Sequence, residues 1–293
     1  MIETLHSLLA SLSRQGRLNE LNALPERFKR HLLRRWPIGA RNHQLPPLAP
    51  WTNWLLLGGR GAGKTRTGAE WTRAMALGDW YFNAQPAGKI ALVAETYADA
   101  REVMVEGQSG LLAVHTAAER PTWISSRRRI EWSNGAVAQV FSSEDPDALR
   151  GPQFSAAWCD EVGKWKNAQA TWDMLQFGLR LGLFPQQVIT TTPRPIKLLK
   201  DLIADPRTHL SRMSTDTNRA NLASGFFDRI VEIYRGTRLG RRSADRLRGR
   251  THDPLRRFNG QSAQARSRVR PHFRRRGCDL RSGGSARSEF SAA

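Results

Sequence analysis

The chain has little of what disulfide-rich, zinc-binding or membrane proteins need. Its 293 residues include only two cysteines, Cys159 and Cys278, so a disulfide framework cannot form. The seven histidines are scattered, without the spacing of zinc ligands. No apolar run approaches the roughly 18 residues of a membrane-spanning helix, and Ser and Arg interrupt the N-terminal apolar residues, unlike in a signal peptide. These absences predict a cytoplasmic protein that has no membrane contact.

Acidic residues are also scarce, since 26 Asp and Glu stand against 46 Lys and Arg and give a net charge of +20. Such an excess favours a nucleic-acid partner, because Lys and Arg neutralise phosphates. More than half of it lies in residues 241–293, which contain 15 arginines, no lysine and four acidic residues. Charge alone therefore indicates little about the first 240 residues.

What the chain does contain is an apolar run that leads into a glycine-rich loop, NWLLLGGRGAGKTRT, from Asn53 to Thr67. The pattern G-x-x-x-x-G-K-T predicts a buried strand, a phosphate-binding loop and a helix that begins near Lys64. A chance glycine-rich turn would lack the strand before it and the helix after it. The residues predicted to contact nucleotide here are Gly58, Gly59, Gly61, Ala62, Gly63, Lys64, Thr65 and Arg66.

A second motif, FSAAWCDE, predicts another buried strand that ends in Asp160 and Glu161. Adjacent acids after a strand are often only a solvated loop. Here they follow a phosphate loop by roughly a hundred residues, with a strand–helix unit between, which is the Walker B arrangement. Asp160 would then approach Mg²⁺ through its water shell, and Glu161 would be the general base that activates water.

Strands alternate with helices along the chain, which predicts an α/β fold. In detail, we expect a P-loop NTPase of the ASCE type, with a mostly parallel central sheet flanked by helices. Alternating residues around Asn134-Gly135 predict an inserted β-hairpin. Residues 1–36 are predicted to be a helical segment, 37–240 the ATPase domain and 241–293 a disordered arginine-rich tail.

These motifs resemble the ATPase half of a large terminase subunit, the motor that packages DNA in tailed bacteriophages and related gene-transfer particles. The resemblance covers about Pro37 to Arg241. The matching segments are QLPP, WLLLGGRGAGKTRTGAEW, YADAREVMVEGQSGLL, SSEDPDALRGPQFSAAWCDEVGKW, TTTPRPIKLLKDL and STDTNRANLASGFFDRI. It implies that Lys64 and Thr65 hold the phosphates and Mg²⁺ of ATP, with Asp160 the metal-associated acid and Glu161 the catalytic base.

Five further site residues follow from the same resemblance. Arg60 matches the arginine within this family's loop, although by position it could simply be a solvent-exposed loop tip. Thr190, Thr191 and Thr192 match the motif that couples hydrolysis to DNA movement, although threonines also suit strands in general. Gln44 matches a position at which an amide reads the adenine edge.

The resemblance also implies partners and a location. They are double-stranded DNA, a homo-oligomeric ring, a portal protein and a small terminase subunit, all in the bacterial host cytoplasm and transiently at the procapsid portal. Two alternatives stay open on the sequence. One is another nucleic-acid motor with a P-loop, such as a helicase, and the other is a truncated, non-catalytic remnant that binds nucleic acid.

The resemblance stops near Arg241. The segment 241–293 has seven large apolar residues, too few to compensate for the entropy of ordering it. A basic DNA-binding arm normally mixes Lys with Arg, whereas a GC-rich gene read in the wrong frame would give this composition. We therefore hypothesise a frameshift near residues 239–243. Sequencing of the locus would exclude it if the reading frame is intact and relatives share this tail. The nuclease domain expected at this place is missing, so we expect no plasmid cleavage.

Overall fold

The computed structural model describes residues 12–22, 25–26, 35–47, 50–78, 86–223 and 225–226. The architecture below is that of the compact unit that ends at Ala223. Of the predicted N-terminal helical segment, residues 1–36, the structure describes helix α1, Arg14–Asn22; a short helix α2, Trp36–Gly39, begins at its last residue. The predicted disordered tail, 241–293, lies outside the described residues.

Eight strands in these ranges form one sheet: β1 Asn53–Gly58, β2 Lys89–Ala94, β3 Thr122–Ile124, β4 Arg129–Glu131, β5 Val137–Ser142, β6 Ala156–Asp160, β7 Gln186–Thr191 and β8 Thr208–Met213. Their spatial order is β3-β4-β5-β2-β6-β7-β1-β8. All neighbours from β5 to β8 pair in parallel, and only β3–β4 and β4–β5 are antiparallel. This confirms the predicted P-loop fold. Strand β7 lies between β1 and β6, and a strand inserted at this place is the feature that defines the ASCE type.

The helices alternate with the strands as predicted. They are α3 Lys64–Leu77, α4 Tyr97–Asp99 with a π-helical continuation over Ala100–Val105, α5 Leu111–Val114, α6 Ala168–Gly178 and α7 Lys197–Ala204. Helix α3 ends where Gly78 takes a left-handed φ of 75° and its N–H bonds the Ala74 carbonyl. No helix in the part of the chain that the structure describes is long and apolar enough to cross a membrane.

The hairpin predicted at Asn134-Gly135 is present, and Gly135 adopts the positive φ of 87° that its turn requires. The structure adds two features to the prediction. Strand β3 extends the hairpin to three antiparallel strands, and β5 pairs in parallel with β2, with Leu92 opposite Val140. The hairpin therefore continues the central sheet at one edge.

The core lies between the sheet and the helices, and it is built around three almost fully buried tryptophans, Trp54, Trp71 and Trp158. Helix α3 packs directly on β6, because a Cβ atom at Gly68 would lie 2.3 Å from Cε2 of Trp158. Since β7 pairs with both β1 and β6, the carboxyl ends of all three strands meet at one edge of the sheet. The loops that follow these strands form the candidate site.

Candidate nucleotide-binding site

The phosphate loop joins β1 to α3 through two left-handed glycines, Gly61 with φ 73° and Gly63 with φ 91°. These angles favour glycine, which lacks the Cβ atom that would strain them. Lys64, the first residue of α3, is 6% exposed, and its Nζ donates to the carbonyls of Gly58 at 3.1 Å and Gly59 at 3.0 Å. The ammonium group therefore lies across the mouth of the loop.

Glu161 follows β6 and faces this ammonium group. Its Oε1 lies 3.3 Å from Lys64 Nζ and accepts from Thr192 Oγ1 at 3.1 Å, while its Oε2 accepts from the Thr192 backbone N–H at 3.1 Å. Glu161 has a left-handed φ of 47°, which is costly for a residue other than glycine and concentrates at functional sites. The glutamate is thus held next to the loop by both neighbouring elements.

Asp160 is the last residue of β6 and is 6% exposed. Its Oδ1 accepts a short hydrogen bond of 2.5 Å from Thr190 Oγ1, which in turn accepts from the indole N–H of Trp158 at 2.9 Å. The pKa of Asp160 is raised to about 6, chiefly by burial and also by the charge of Glu161, and these effects outweigh the Thr190 hydrogen bond and the Lys64 charge, which lower it. Asp160 is therefore a buried acid that is fixed in orientation.

The three threonines predicted as a unit have separate contacts. Thr190 orients Asp160, whereas Thr191 Oγ1 accepts from the backbone N–H of Gly163 at 2.9 Å. Thr192, just after β7, holds Glu161 and lies 3.5 Å from Lys64 Nζ. The segment thus links both acids to the phosphate loop.

Arg60 and Arg66 lie apart from this cluster. The Arg60 side chain is exposed at the tip of the loop, so its predicted charge role at the phosphates stays a prediction. Arg66 extends along α3, where it donates to Glu70 at 2.8 and 2.6 Å and stacks on Trp36, 5.6 Å from the ring centroid. Thr65, half-buried at the loop, faces the cleft beside it.

Gln44 lies against the phosphate loop, but its amide is occupied. Nε2 donates to Thr67 Oγ1 at 2.9 Å and to the Gly63 carbonyl at 3.3 Å, and Oε1 accepts from the Arg41 backbone N–H at 3.2 Å. That Gln44 reads adenine stays a prediction, and it requires the amide to leave these partners.

Residues 55–269 match the family described as "Terminase large subunit, T4likevirus-type, N-terminal". The chain belongs to the terminase large subunit family. The match starts after Gln44 and runs past Arg241 into the arginine-rich segment. A search of curated proteins found no match.

Solved terminase structures are similar at low identity. The ATPase domain of the Thermus phage P74-26 large terminase is 13% identical with a TM-score of 0.48, and the match covers 67% of this chain and 88% of that domain. The large terminase of a thermophilic bacteriophage, solved in complex with ADP, is 12% identical with a TM-score of 0.49. That match covers 64% of this chain and 46% of the ADP-bound protein.

A cleft of about 840 Å³ opens beside the phosphate loop of this terminase family member. Sequence reasoning missed most of the other residues that line this cleft, which include Trp36, part of the π-helical segment, and the two asparagines Asn218 and Asn221. The sequence signal for the π-helical segment and the asparagines was the resemblance of the segments YADAREVMVEGQSGLL and STDTNRANLASGFFDRI to the terminase family. Periodicity cannot identify such residues, because they belong to short irregular elements.

The residues present suit a magnesium–nucleotide complex better than a metal cage. Within the described ranges, no group of three or more His, Cys, Asp or Glu residues could hold a metal ion. Mg²⁺ usually keeps several waters and takes one or two protein oxygens plus substrate phosphates. The hydroxyl of Thr65 and the buried carboxylate of Asp160 are ligands of this kind, so they fit the predicted role.

Proposed function

We propose that this chain is the ATP-hydrolysing motor of viral DNA packaging, which translocates double-stranded DNA into a procapsid. Membership of the terminase large subunit family supports the biological role. The ion pair between Glu161 and Lys64, at 3.3 Å, carries the chemical part, because it brings a base to the place where a γ-phosphate would be held.

ATP would bind with its phosphates in the loop and its base in the adjoining cleft. Backbone N–H groups of the loop and the N-terminus of α3 provide partial positive charge for the phosphates. Lys64 would exchange its carbonyl and carboxylate partners for the β and γ oxygens. Thr65 and Asp160 would hold Mg²⁺, which supplies charge neutralisation at these oxygens.

Hydrolysis would begin when Lys64 leaves Glu161 for the phosphates. The glutamate, still held by Thr192, would then accept a proton from the attacking water. Thr190 keeps Asp160 oriented through the same strand. Because β7 contacts both acids, a change at the γ-phosphate would reach this strand, and this supports the coupling role of Thr190, Thr191 and Thr192.

The remaining parts of the proposal rest on family membership. The chain would work in the host cytoplasm as a homo-oligomeric ring on a portal protein, with a small terminase subunit that helps select the DNA. Movement of duplex DNA would use its phosphates, which the excess of basic residues suits.

Steady-state ATP turnover by the full chain, with and without duplex DNA, tests the proposal. Lys64→Ala and Glu161→Ala should each abolish turnover, and Glu161→Ala should still bind ATP. Lys197→Ala, which removes an exposed lysine paired with Asp201, is the matched control and should keep turnover. Undiminished turnover in either site variant would overturn the mechanism.

A further inference from the structure

The carbonyl groups of the phosphate loop form a row of hydrogen-bond acceptors that side chains from elsewhere satisfy, and three of these side chains, Arg41, Gln44 and Asn218, also line the cleft. Thr215 Oγ1 donates to the carbonyl of Arg60 at 2.9 Å. Asn218 Nδ2 donates to the carbonyl of Gly61 at 2.6 Å. Both donors belong to the stretch that follows β8, the last strand described in the sheet.

The next two carbonyls are held from the N-terminal side. Arg41 Nη2 donates to the carbonyl of Ala62 at 3.1 Å, and Gln44 Nε2 donates to that of Gly63 at 3.3 Å. Arg41 Nη1 also donates to Asn218 Oδ1 and joins the two sides. We call Arg41, Gln44, Thr215 and Asn218 the outer clamp.

The outer clamp fits closely enough to explain two loop glycines. A Cβ atom at position 59 would lie 2.8 Å from Thr215 Oγ1, and one at position 63 would lie 2.5 Å from Arg41 Nη2. Real Cβ atoms do not approach other atoms so closely. Gly59 and Gly63 therefore leave room for the clamp, and Gly63 also permits the left-handed turn of the loop.

The position of these bonds indicates what they do. In a phosphate-binding loop the backbone N–H groups must point into the concave side, so the carbonyls must point outward. Four consecutive carbonyls that are fixed outward keep the intervening peptide units from rotating. A loop that is already ordered loses less entropy when it binds phosphates.

We propose that the outer clamp positions the phosphate loop for nucleotide, with Thr215 and Asn218 as positioning residues contributed by the segment after the sheet. The inference rests on the proposed function, since it concerns the nucleotide affinity of that site. The clamp should affect nucleotide binding, because its hydrogen bonds hold the loop carbonyls. The chemical step should depend instead on Glu161 and Thr192, which contact Lys64.

ADP titration of the full chain by calorimetry, together with ATP kinetics, tests the clamp. Thr215→Val removes one donor at nearly constant shape, and Asn218→Leu removes the donor to Gly61 together with the acceptor of Arg41 and Asn221. Each should weaken ADP about 3- to 10-fold and raise KM, while kcat changes less than about twofold. Thr215→Ser, which keeps the hydroxyl, should restore the affinity. Thr217→Val is the matched control, because its hydroxyl donates to the Ser214 carbonyl instead of the loop.

Melting temperature without nucleotide separates positioning from folding. If Thr215→Val and Asn218→Leu lower the melting temperature but bind ADP like the unaltered chain, the clamp is only structural and the inference is wrong. Lys64→Ala distinguishes this from failure of the proposed function. If the unaltered chain binds ADP no better than Lys64→Ala, the site does not bind nucleotide. The proposed function and the role of the clamp are then both wrong.

Discussion

Lys64 and Glu161 form an ion pair at 3.3 Å, in which the carboxylate contacts the ammonium group that would bind phosphate under the proposed function. Nucleotide must therefore compete with the carboxylate for Lys64. We expect Glu161→Gln to bind ATP about 3- to 10-fold more tightly than the unaltered chain, because neutralising the carboxylate releases the lysine. Turnover should be lost. Equilibrium binding of ATP, followed by fluorescence, would measure the gain in affinity. Glu119→Gln is the control, because the Glu119 carboxylate pairs with Arg73 and not with Lys64. Equal or weaker binding would contradict the competition.

Thr192 should control the rate of the chemical step through Glu161. Thr192→Val removes the hydroxyl bond to Oε1 but leaves the backbone N–H bond to Oε2. Because one of two orienting bonds remains, we expect kcat to fall about tenfold, not to zero. Single-turnover ATP hydrolysis measures this step directly. Thr192→Ser should recover most of the rate, and a valine variant with unaltered kcat would remove Thr192 from the mechanism.

Asp160 should make the nucleotide-free protein less stable at neutral pH. Its pKa rises from the ordinary 3.8 to about 6, chiefly through burial, so the folded state binds a proton more tightly than the unfolded state. The free energy of unfolding should therefore fall as pH rises from about 4 to about 6. Asp160→Asn, which keeps the acceptor for Thr190, should be about 1 to 3 kcal/mol more stable at pH 7.5. Urea unfolding at pH 4.5 and 7.5 checks this, because the gain should shrink at the lower pH.

The contact between Gly68 and Trp158 should make this helix position intolerant of any side chain. In Gly68→Ala, the new methyl group would lie 2.3 Å from the indole, so α3 or β6 must shift. We expect a loss of about 1 to 3 kcal/mol of stability. Gly88→Ala is the control, since a Cβ atom there meets nothing within 4 Å. Thermal unfolding compares the two, and equal melting temperatures would show that the helix accommodates the methyl group.

Local patterns were enough to predict the backbone of the site. The run Trp54 to Leu57 followed by glycines is typical of a buried strand and a tight turn, and the start of α3 at Lys64 follows from the same spacing. Asn134-Gly135 likewise predicted the hairpin, since few residue pairs allow its turn. Strand β3 was not predicted, because three residues carry too little alternation to be recognised.

The amino-acid sequence by itself determined where the phosphate loop, the two acids and the threonines stand along the strands and turns, because those features depend on neighbouring residues and on the freedom of glycine. Only the tertiary structure decided their partners. Thr192 lies 128 residues from Lys64 in sequence, and Asn218 lies 157 residues from Gly61. Such pairs form because β7 lies between β1 and β6 and because the chain after β8 returns to the loop. The position of β7 and the return of the chain after β8 depend on strand order and on the packing of the whole domain, which no local sequence pattern encodes.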